Sequence, residues 1–173
     1  MTEESTLGLR FIKITTSGIL SENTSQVYAI KNPLVFICGV SSLYDWYTES
    51  FQNNALWGDN VEKSAYDPCP ADWRVPTDAS LTFGDITVET TTVSGTGREV
   101  ANGRTYQSMA WFPMAGRRNN DSGTLRYVGG SSCSWSASIS DTYSISLYYD
   151  TSNVGSDYLY SRAYGQMIRC VQE

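Results

Sequence analysis

Three prolines, Pro68, Pro70 and Pro76, fall within nine residues of the stretch Tyr66-Asp-Pro-Cys-Pro-Ala-Asp-Trp-Arg-Val-Pro-Thr77. Each proline removes a backbone donor, fixes its own φ and pushes the residue before it out of the helical region. The stretch can therefore be neither helix nor central strand, and it carries enough apolar side chain to be held in place. It is expected to be an ordered, irregular turn around which the rest is arranged. Thr77 resembles an N-cap, so a short helix is expected through Asp78-Ala-Ser-Leu.

Elsewhere the periodicity is that of short strands. Residues 7–16 alternate apolar and polar (Leu7, Leu9, Phe11, Ile12, Ile14), which predicts a strand with one buried face. Gln26 to Ile30 reads as a second short strand. Pro33 to Gly39 reads as a buried strand or one helical turn, which periodicity alone does not separate. Leu43 to Tyr47 and Ala55 to Trp57 place aromatics irregularly, as loops pinned by rings. Residues 85–108, rich in Thr, Val and Gly, suit a hairpin or a mobile insertion, and Met109 to Pro113 a strand. No helix-period segment longer than about ten residues is present, so the expectation is an α+β, β-rich chain with one or two short helices.

Composition limits the chemistry. The 173 residues include no histidine, which removes the commonest general base, the commonest metal ligand and the Ser-His or Cys-His nucleophile pair. Twelve Lys and Arg against eighteen Asp and Glu give a net charge of −6, which argues against nonspecific nucleic-acid binding. The start, Met-Thr-Glu-Glu-Ser-Thr, lacks the basic and apolar regions of a signal peptide, and the most apolar run, Pro33 to Val40, is too short to span a bilayer. A chain of this length is expected to form one domain, residues 1–173, which is read either as not exported by itself or as the C-terminal part of a longer protein. Cys38, Cys69, Cys133 and Cys170 are too sparse for a disulfide scaffold, and without Cys-x-x-Cys or histidine they do not form a zinc pattern.

The last third has a different character. Seven of the twelve tyrosines lie from Tyr127 onward, while all three lysines lie at or before Lys63. From Ser131 to Ser161, Ser, Tyr and Asp are interleaved with isolated framework residues such as Trp135, Leu147 and Val154. So many aromatics and aliphatics would expose apolar surface if unfolded, which excludes a low-complexity linker. Tyr, Ser and Asp on an ordered frame is the composition of a binding surface, since Tyr provides broad amphipathic contact at low entropy cost.

Four motifs, in order, carry a family resemblance. Asp67-Pro-Cys-Pro-Ala-Asp-Trp-Arg-Val-Pro-Thr77 resembles the "DPCPxGWRxPT" signature of the Fibrobacter succinogenes major paralogous domain, common in Bacteroidetes surface proteins. Phe112-Pro-Met-Ala-Gly-Arg-Arg-Asn119 resembles its "FPAAGYRN". Gly123-Thr-Leu-Arg-Tyr-Val-Gly129 followed by Ser134-Trp-Ser136 resembles its "GxLxxVGxxGxYWSS", and Arg162-Ala-Tyr-Gly-Gln-Met-Ile-Arg-Cys-Val171 its "RAxGFSVRCV". The match covers about 110 residues. The resemblance implies a C-type-lectin-like fold, in which the first and last strands pair and a long irregular segment presents the ligand surface. It also implies a disulfide between Cys69 and Cys170, which occupy the motif cysteines. Cys38 is expected in the core. Trp73, Trp111 and Trp135 are expected to pack under the ligand face, and Arg162 and Arg169 to hold loop carboxylates or carbonyls.

Within that family the last third resembles the variable proteins of diversity-generating retroelements of gut Bacteroidetes or their phages. There, mutated Asn codons yield Tyr, Ser, Asp, Cys, Ile, Leu or Arg but never Lys or Glu, and neither occurs between Arg104 and Gln172. Departures from the family frame toward that set mark the candidate ligand-binding residues: Arg117, Arg126, Tyr127, Cys133, Ser134, Asp141, Tyr143, Ile145, Ser146, Tyr148, Asp157, Tyr158, Leu159, Tyr160 and Tyr164. They span about residues 115–171, and Cys133 is read as an odd surface cysteine. Gln166 and Met167 depart to residues outside the set.

The function expected from the resemblance is non-enzymatic binding of a protein or glycan ligand on a host or neighbouring cell, at a cell or virion surface. No cofactor, no metal, no nucleic acid and no membrane insertion are expected, and oligomeric state is left open. The competing readings are a structural pilus or virion-fibre tip module without diversification, and an enzyme. The lectin-like fold also hosts formylglycine-generating enzymes, whose cysteine pair acts with a metal; here the four cysteines lie far apart in sequence.

Overall fold

A computed structural model describes residues 10–13, 25–38, 54–57, 63–77, 90–95, 98–106 and 110–173. Its contacts divide the chain into two compact units: Met1–Asn53 with Arg118–Thr124 and Ser161–Gly165, and Asn54–Arg117 with Leu125–Tyr160 and Gln166–Glu173. The described chain is β-rich, with one short helix and several small sheets. The loop expected at Leu43–Tyr47 and the helix expected at residues 78–81 lie outside the described residues. No helix among the described residues is long and apolar enough to cross a membrane.

In the first unit, β1 (Arg10–Lys13) runs parallel to β2 (Val35–Cys38), with Phe11 opposite Phe36. Within the Pro33–Gly39 run, Val35–Cys38 is thus a strand, and Ile37 and Cys38 are buried, Cys38 as a core residue. Between the two strands lies α1 (Ser25–Lys31), which corrects the strand read from Gln26 to Ile30. The β-branched and aromatic residues there suggested a strand, but the segment ends in a helix stop. Asn32 donates to the Tyr28 carbonyl from both its backbone N and its Nδ2, at 2.9 Å each, Lys31 lies in the last turn, and Pro33 blocks continuation. Later in the chain, Arg118 and Gly165 exchange backbone hydrogen bonds at 2.7 and 3.1 Å. A Cβ on Gly165 would sit 2.7 Å from the Phe36 ring, so that ring packs directly on the backbone.

In the second unit, the proline-rich segment is an irregular turn stapled from within. The buried Asp67 carboxylate accepts from the Cys69 N at 2.8 Å and the Val75 N at 2.9 Å. The Lys63 ammonium donates to the carbonyls of Cys69, Pro70 and Trp73. Donors that the prolines removed are thus replaced by a side-chain cation, and the backbone acceptors are satisfied. Leu56 and Trp57, in the turn at residues 54–57, are half-buried.

Cys69 is bonded to Cys170, with Cα atoms 5.7 Å apart, as the resemblance implied. This bond sets Val171 opposite Arg74 and Gln172 opposite Trp73, so β12 (Val171–Gln172) pairs with β3 (Trp73–Arg74). Among the described residues β12 pairs with β3 and β1 with β2, each within its own unit, and the expected pairing of first and last strands is not among these ladders. The disulfide, three residues before Glu173, ties β12 to the proline-rich turn.

A hairpin of β4 (Thr90–Gly95) and β5 (Arg98–Tyr106) is extended by β6 (Ala110–Pro113), which realises the hairpin alternative for residues 85–108. The strands β7 (Arg117–Arg118) and β8 (Leu125–Arg126) are two residues each. The principal sheet is three-stranded in the order β11 (Val154–Ser161), β10 (Tyr143–Asp150), β9 (Ser131–Ser140). Its core face carries Leu147 and Tyr149, which pack with Phe112 and Met114 and the half-buried Met167. Tyr149 meets Phe112 edge-on, ring centroids 6.0 Å apart, and its hydroxyl donates to the Pro113 carbonyl at 3.0 Å.

Of the three tryptophans expected under the ligand face, Trp135 is buried. Trp73 is 42% and Trp111 37% exposed, which corrects the expectation for those two. Trp73 stands in a two-residue ladder opposite Gln172. Trp111 lies against Gly103, where a Cβ would come within 2.3 Å of its Cζ2, so it rests on backbone at the surface. Arg169 holds the Trp111 carbonyl at 2.8 Å and lies over the Phe112 ring at 3.9 Å, the structural part expected of it.

Candidate functional site

Strand alternation sorts the side chains of β10 onto two faces. Leu147 and Tyr149 point to the core, while Tyr148 and Asp150 leave the other face. In the antiparallel ladder Tyr148 is opposite Cys133 and Asp150 opposite Ser131, so Cys133 and Ser131 share that second face. Tyr158 of β11 joins them, its ring stacked on Tyr148 with centroids 4.5 Å apart and planes 26° apart. The register breaks between Ser144 and Ser146, and β9 there bonds outward: Ala137 N donates to the Pro76 carbonyl at 2.7 Å and Ser138 Oγ to the Thr77 carbonyl. The bulge anchors the sheet to the proline-rich turn.

A loop is fixed over this face. Gly116 bridges Ser132 in parallel fashion, its N donating to the Ser131 carbonyl at 3.0 Å. Gly116 has φ +72, and a Cβ there would lie 2.2 Å from the Arg126 carbonyl oxygen, so the approach admits only glycine. Tyr127, itself at φ 60, accepts from Gly130 N at 2.9 Å and Ser131 N at 3.1 Å. These two anchors bring Arg117 and Tyr127 together. The Arg117 guanidinium lies 4.7 Å from the Tyr127 ring centroid and 5.0 Å from that of Tyr160, close enough for cation–π attraction. Its Nη1 also reaches the Tyr160 hydroxyl at 3.4 Å and the Cys133 Sγ at 4.0 Å.

The result is a hollow of about 420 Å³ lined by Arg117, Tyr127, Ser131, Tyr148, Asp150, Asn153, Tyr158 and Tyr160. Five of these were singled out in the sequence. Ser131, Asp150 and Asn153 were not, although the period of two from Tyr148 to Asp150 and the Asp-x-x-Asn turn were available as signals. Asp150 closes the β10–β11 turn. Its carboxylate accepts from Ser152 N and Asn153 N at 2.7 Å each, from the Tyr148 hydroxyl at 2.8 Å and from Asn153 Nδ2 at 3.2 Å. Burial raises the Asp150 pKa, but these donors outweigh it and hold the group at about 2. Tyr148 is pushed up to about 12 by burial and by the Asp150 carboxylate it serves. Burial, then the Cys133 neighbour, also raises Tyr160.

The remaining candidates are placed differently. Cys133 is 0% exposed, which corrects its reading as a surface cysteine, and burial raises its thiol despite Arg117 and Tyr160 nearby. Ser134 and Ser146 are also fully buried, Ser134 opposite Leu147 on the core face and Ser146 donating to Gln166 Oε1 at 2.8 Å. Arg126, Asp141, Tyr143, Asp157 and Leu159 are exposed but do not line the hollow, and Ile145 is half-buried at the register break. Tyr164 is half-buried in the first unit.

Comparison with protein-family models, with curated proteins and with solved structures finds no match to this chain.

Proposed function

We propose that the chain is a non-enzymatic ligand-binding protein, a receptor-binding or adhesion module that displays a Tyr-, Ser- and Asp-rich face at a cell or virion surface. The observation that carries this reading is the hollow itself. Arg117, Tyr127, Tyr148, Tyr158 and Tyr160 come from three separate segments and converge on one concavity. Convergent phenols and a guanidinium are the side chains enriched where proteins hold ligands. The disulfide is compatible with an extracellular place of work. The four motifs supply the finer part of the proposal: a C-type-lectin-like scaffold of the Fibrobacter succinogenes major paralogous domain type, diversified by a retroelement.

Two experiments test the two parts. Gene copies sequenced from one population should differ at the fifteen candidate positions and nowhere else nearby; uniform copies, with no template repeat and no reverse transcriptase beside them, overturn diversification. For binding, the chain displayed on beads should capture cells or their surface extract, and the Tyr143→Ala, Tyr148→Ala, Tyr158→Ala triple variant should lose capture while staying folded. Capture unaffected by the triple change overturns the assignment of this face.

A further inference from the structure

We infer that the hollow takes a proline-rich segment of a protein ligand, extended as a polyproline II helix. The inference rests on the binding reading above and names its partner class. Both charges in the hollow are engaged within the protein. The Asp150 carboxylate accepts from two backbone N–H groups, the Tyr148 phenol and the Asn153 carboxamide. A sugar hydroxyl or a ligand ammonium would compete with those donors for its lone pairs. Arg117 lies against the Tyr127 and Tyr160 rings and reaches the Tyr160 hydroxyl and the Cys133 Sγ. A guanidinium of the chain itself thus takes the place that a ligand cation would have at these two rings.

What the hollow turns to solvent is phenol. Tyr127 is 60% and Tyr158 41% exposed, and both line it. The Tyr158 ring lies on Tyr148, centroids 4.5 Å and planes 26° apart, and is seated on Gly155, where a Cβ would come within 2.4 Å of its Cε2. Each phenol offers an apolar face and a hydroxyl donor, at low entropy cost. Such a wall suits a ligand that stacks and brings acceptors without bringing donors that need a partner. Proline does both: its ring packs flat on an aromatic face, and its amide has a carbonyl but no N–H. A proline-rich segment is also extended before it binds, with its carbonyls exposed, so little further order is imposed. Aromatic-lined grooves hold such segments by this combination. A volume of about 420 Å³ is within the range of ligand sites and admits a short run of such residues. A sugar instead brings a donor with every hydroxyl, and the carboxylate that would receive one is taken.

The full chain is titrated with N-acetyl-hexaproline amide and with an N-acetyl Ala-Ser-Ala-Ser-Ala-Ser amide of the same length, whose amides all carry N–H. Methyl β-D-glucoside and choline form the sugar and cation arms. Calorimetry should show hexaproline binding at least about tenfold tighter than each of the other three. Tyr158→Phe, which keeps the ring and loses the donor, should weaken it about fivefold, the worth of one neutral hydrogen bond. Tyr158→Ala should abolish it. Should that variant fail to fold, the unmodified chain still decides: the prolyl ring protons should move upfield on binding, as protons over an aromatic face do. Equal affinity for the two peptides, tighter binding of glucoside or choline, unmoved prolyl resonances, or full hexaproline affinity in a folded Tyr158→Ala overturns the inference. If the beads still capture cells through the tyrosine face in those cases and hexaproline does not compete, the ligand-binding reading stands and only the proline-rich partner falls.

Discussion

Tyr148 lies directly across the β9–β10 ladder from Cys133, so one residue that lines the hollow and one free thiol leave the same face of the sheet. They end in different surroundings because Arg117 and Tyr160 close over the shorter side chain. Cys133 is therefore covered and Tyr148 reaches the rim. Thiol counting gives the first prediction. In the native protein neither Cys133 nor Cys38, both buried, should react with a disulfide reagent over minutes. Denaturation without reductant should reveal two thiols, and denaturation with reductant four. Burial, the main influence on the Cys133 thiol, keeps it protonated and shielded from reagent. A fast native reaction at Cys133 would show that the Arg117–Tyr160 cover opens.

The legibility of this chain follows the range of the interactions involved. The proline-rich turn was readable because proline acts on its own residue and the one before it. The Cys69–Cys170 bond came only through family resemblance, since no local signal joins residues 101 apart. Gln26–Ile30 was misread because a seven-residue helix gives periodicity too few repeats, and the deciding Asn32–Pro33 stop was taken as a strand end. Cys133, Ser134 and Ser146 were counted as surface because a departure from a family pattern says nothing about which face of a strand a residue occupies. That depends on register, which the Ser144–Ser146 irregularity shifts. Trp73 and Trp111 were expected under the ligand face because the family frame places them there, but a family pattern carries no local packing, and both stand at the surface.

Gly116 is the second test. Gly116→Ala must place a Cβ 2.2 Å from the Arg126 carbonyl oxygen and hold an L-residue at φ +72. The backbone penalty and the clash together should cost about 3 kcal/mol in urea denaturation. The shift should also separate Tyr127 from Arg117 and reduce ligand capture at temperatures where the variant is still folded. Gly130→Ala is the control, since its nearest contact, the Tyr127 oxygen, lies at 3.6 Å. It should change stability by less than about 1 kcal/mol. Equal losses in the two variants would remove the argument for close approach at Gly116.

Asp150 links the hollow to acid stability. Its folded pKa, about 2, is below the ordinary value of 3.8, so the unfolded state takes up its proton first as pH falls. The stabilisation is present above the unfolded pKa and disappears as pH drops through the folded one. Asp150→Asn keeps the side-chain shape but removes this titration. The wild type should be more stable than the variant at pH 5, and the gap should close between about pH 4 and pH 2. Urea midpoints measured in parallel across that window report it, because all other carboxylates are common to both proteins. A gap that does not vary with pH would mean the hydrogen bonds to Asp150 are worth the same to acid and amide.

Tyr149 and Tyr158, on neighbouring strands, separate core from face. Tyr149 is 0% exposed, packs edge-on against Phe112 and donates to the Pro113 carbonyl at 3.0 Å. Tyr149→Phe should cost about 1 kcal/mol for the lost hydrogen bond, and Tyr149→Ala about 3–5 kcal/mol for an emptied core position. Tyr158 is 41% exposed and gains mainly its stack on Tyr148, so Tyr158→Ala should cost about 1 kcal/mol. Capture should show the opposite order: Tyr149→Phe binds as the wild type does, and Tyr158→Ala loses most of its ligand. Stability from urea midpoints and binding on the same preparations decide the matter. If Tyr158→Ala unfolds the chain as readily as Tyr149→Ala, the stacked pair is a second core, and the hollow would have to be assigned to folding rather than to recognition.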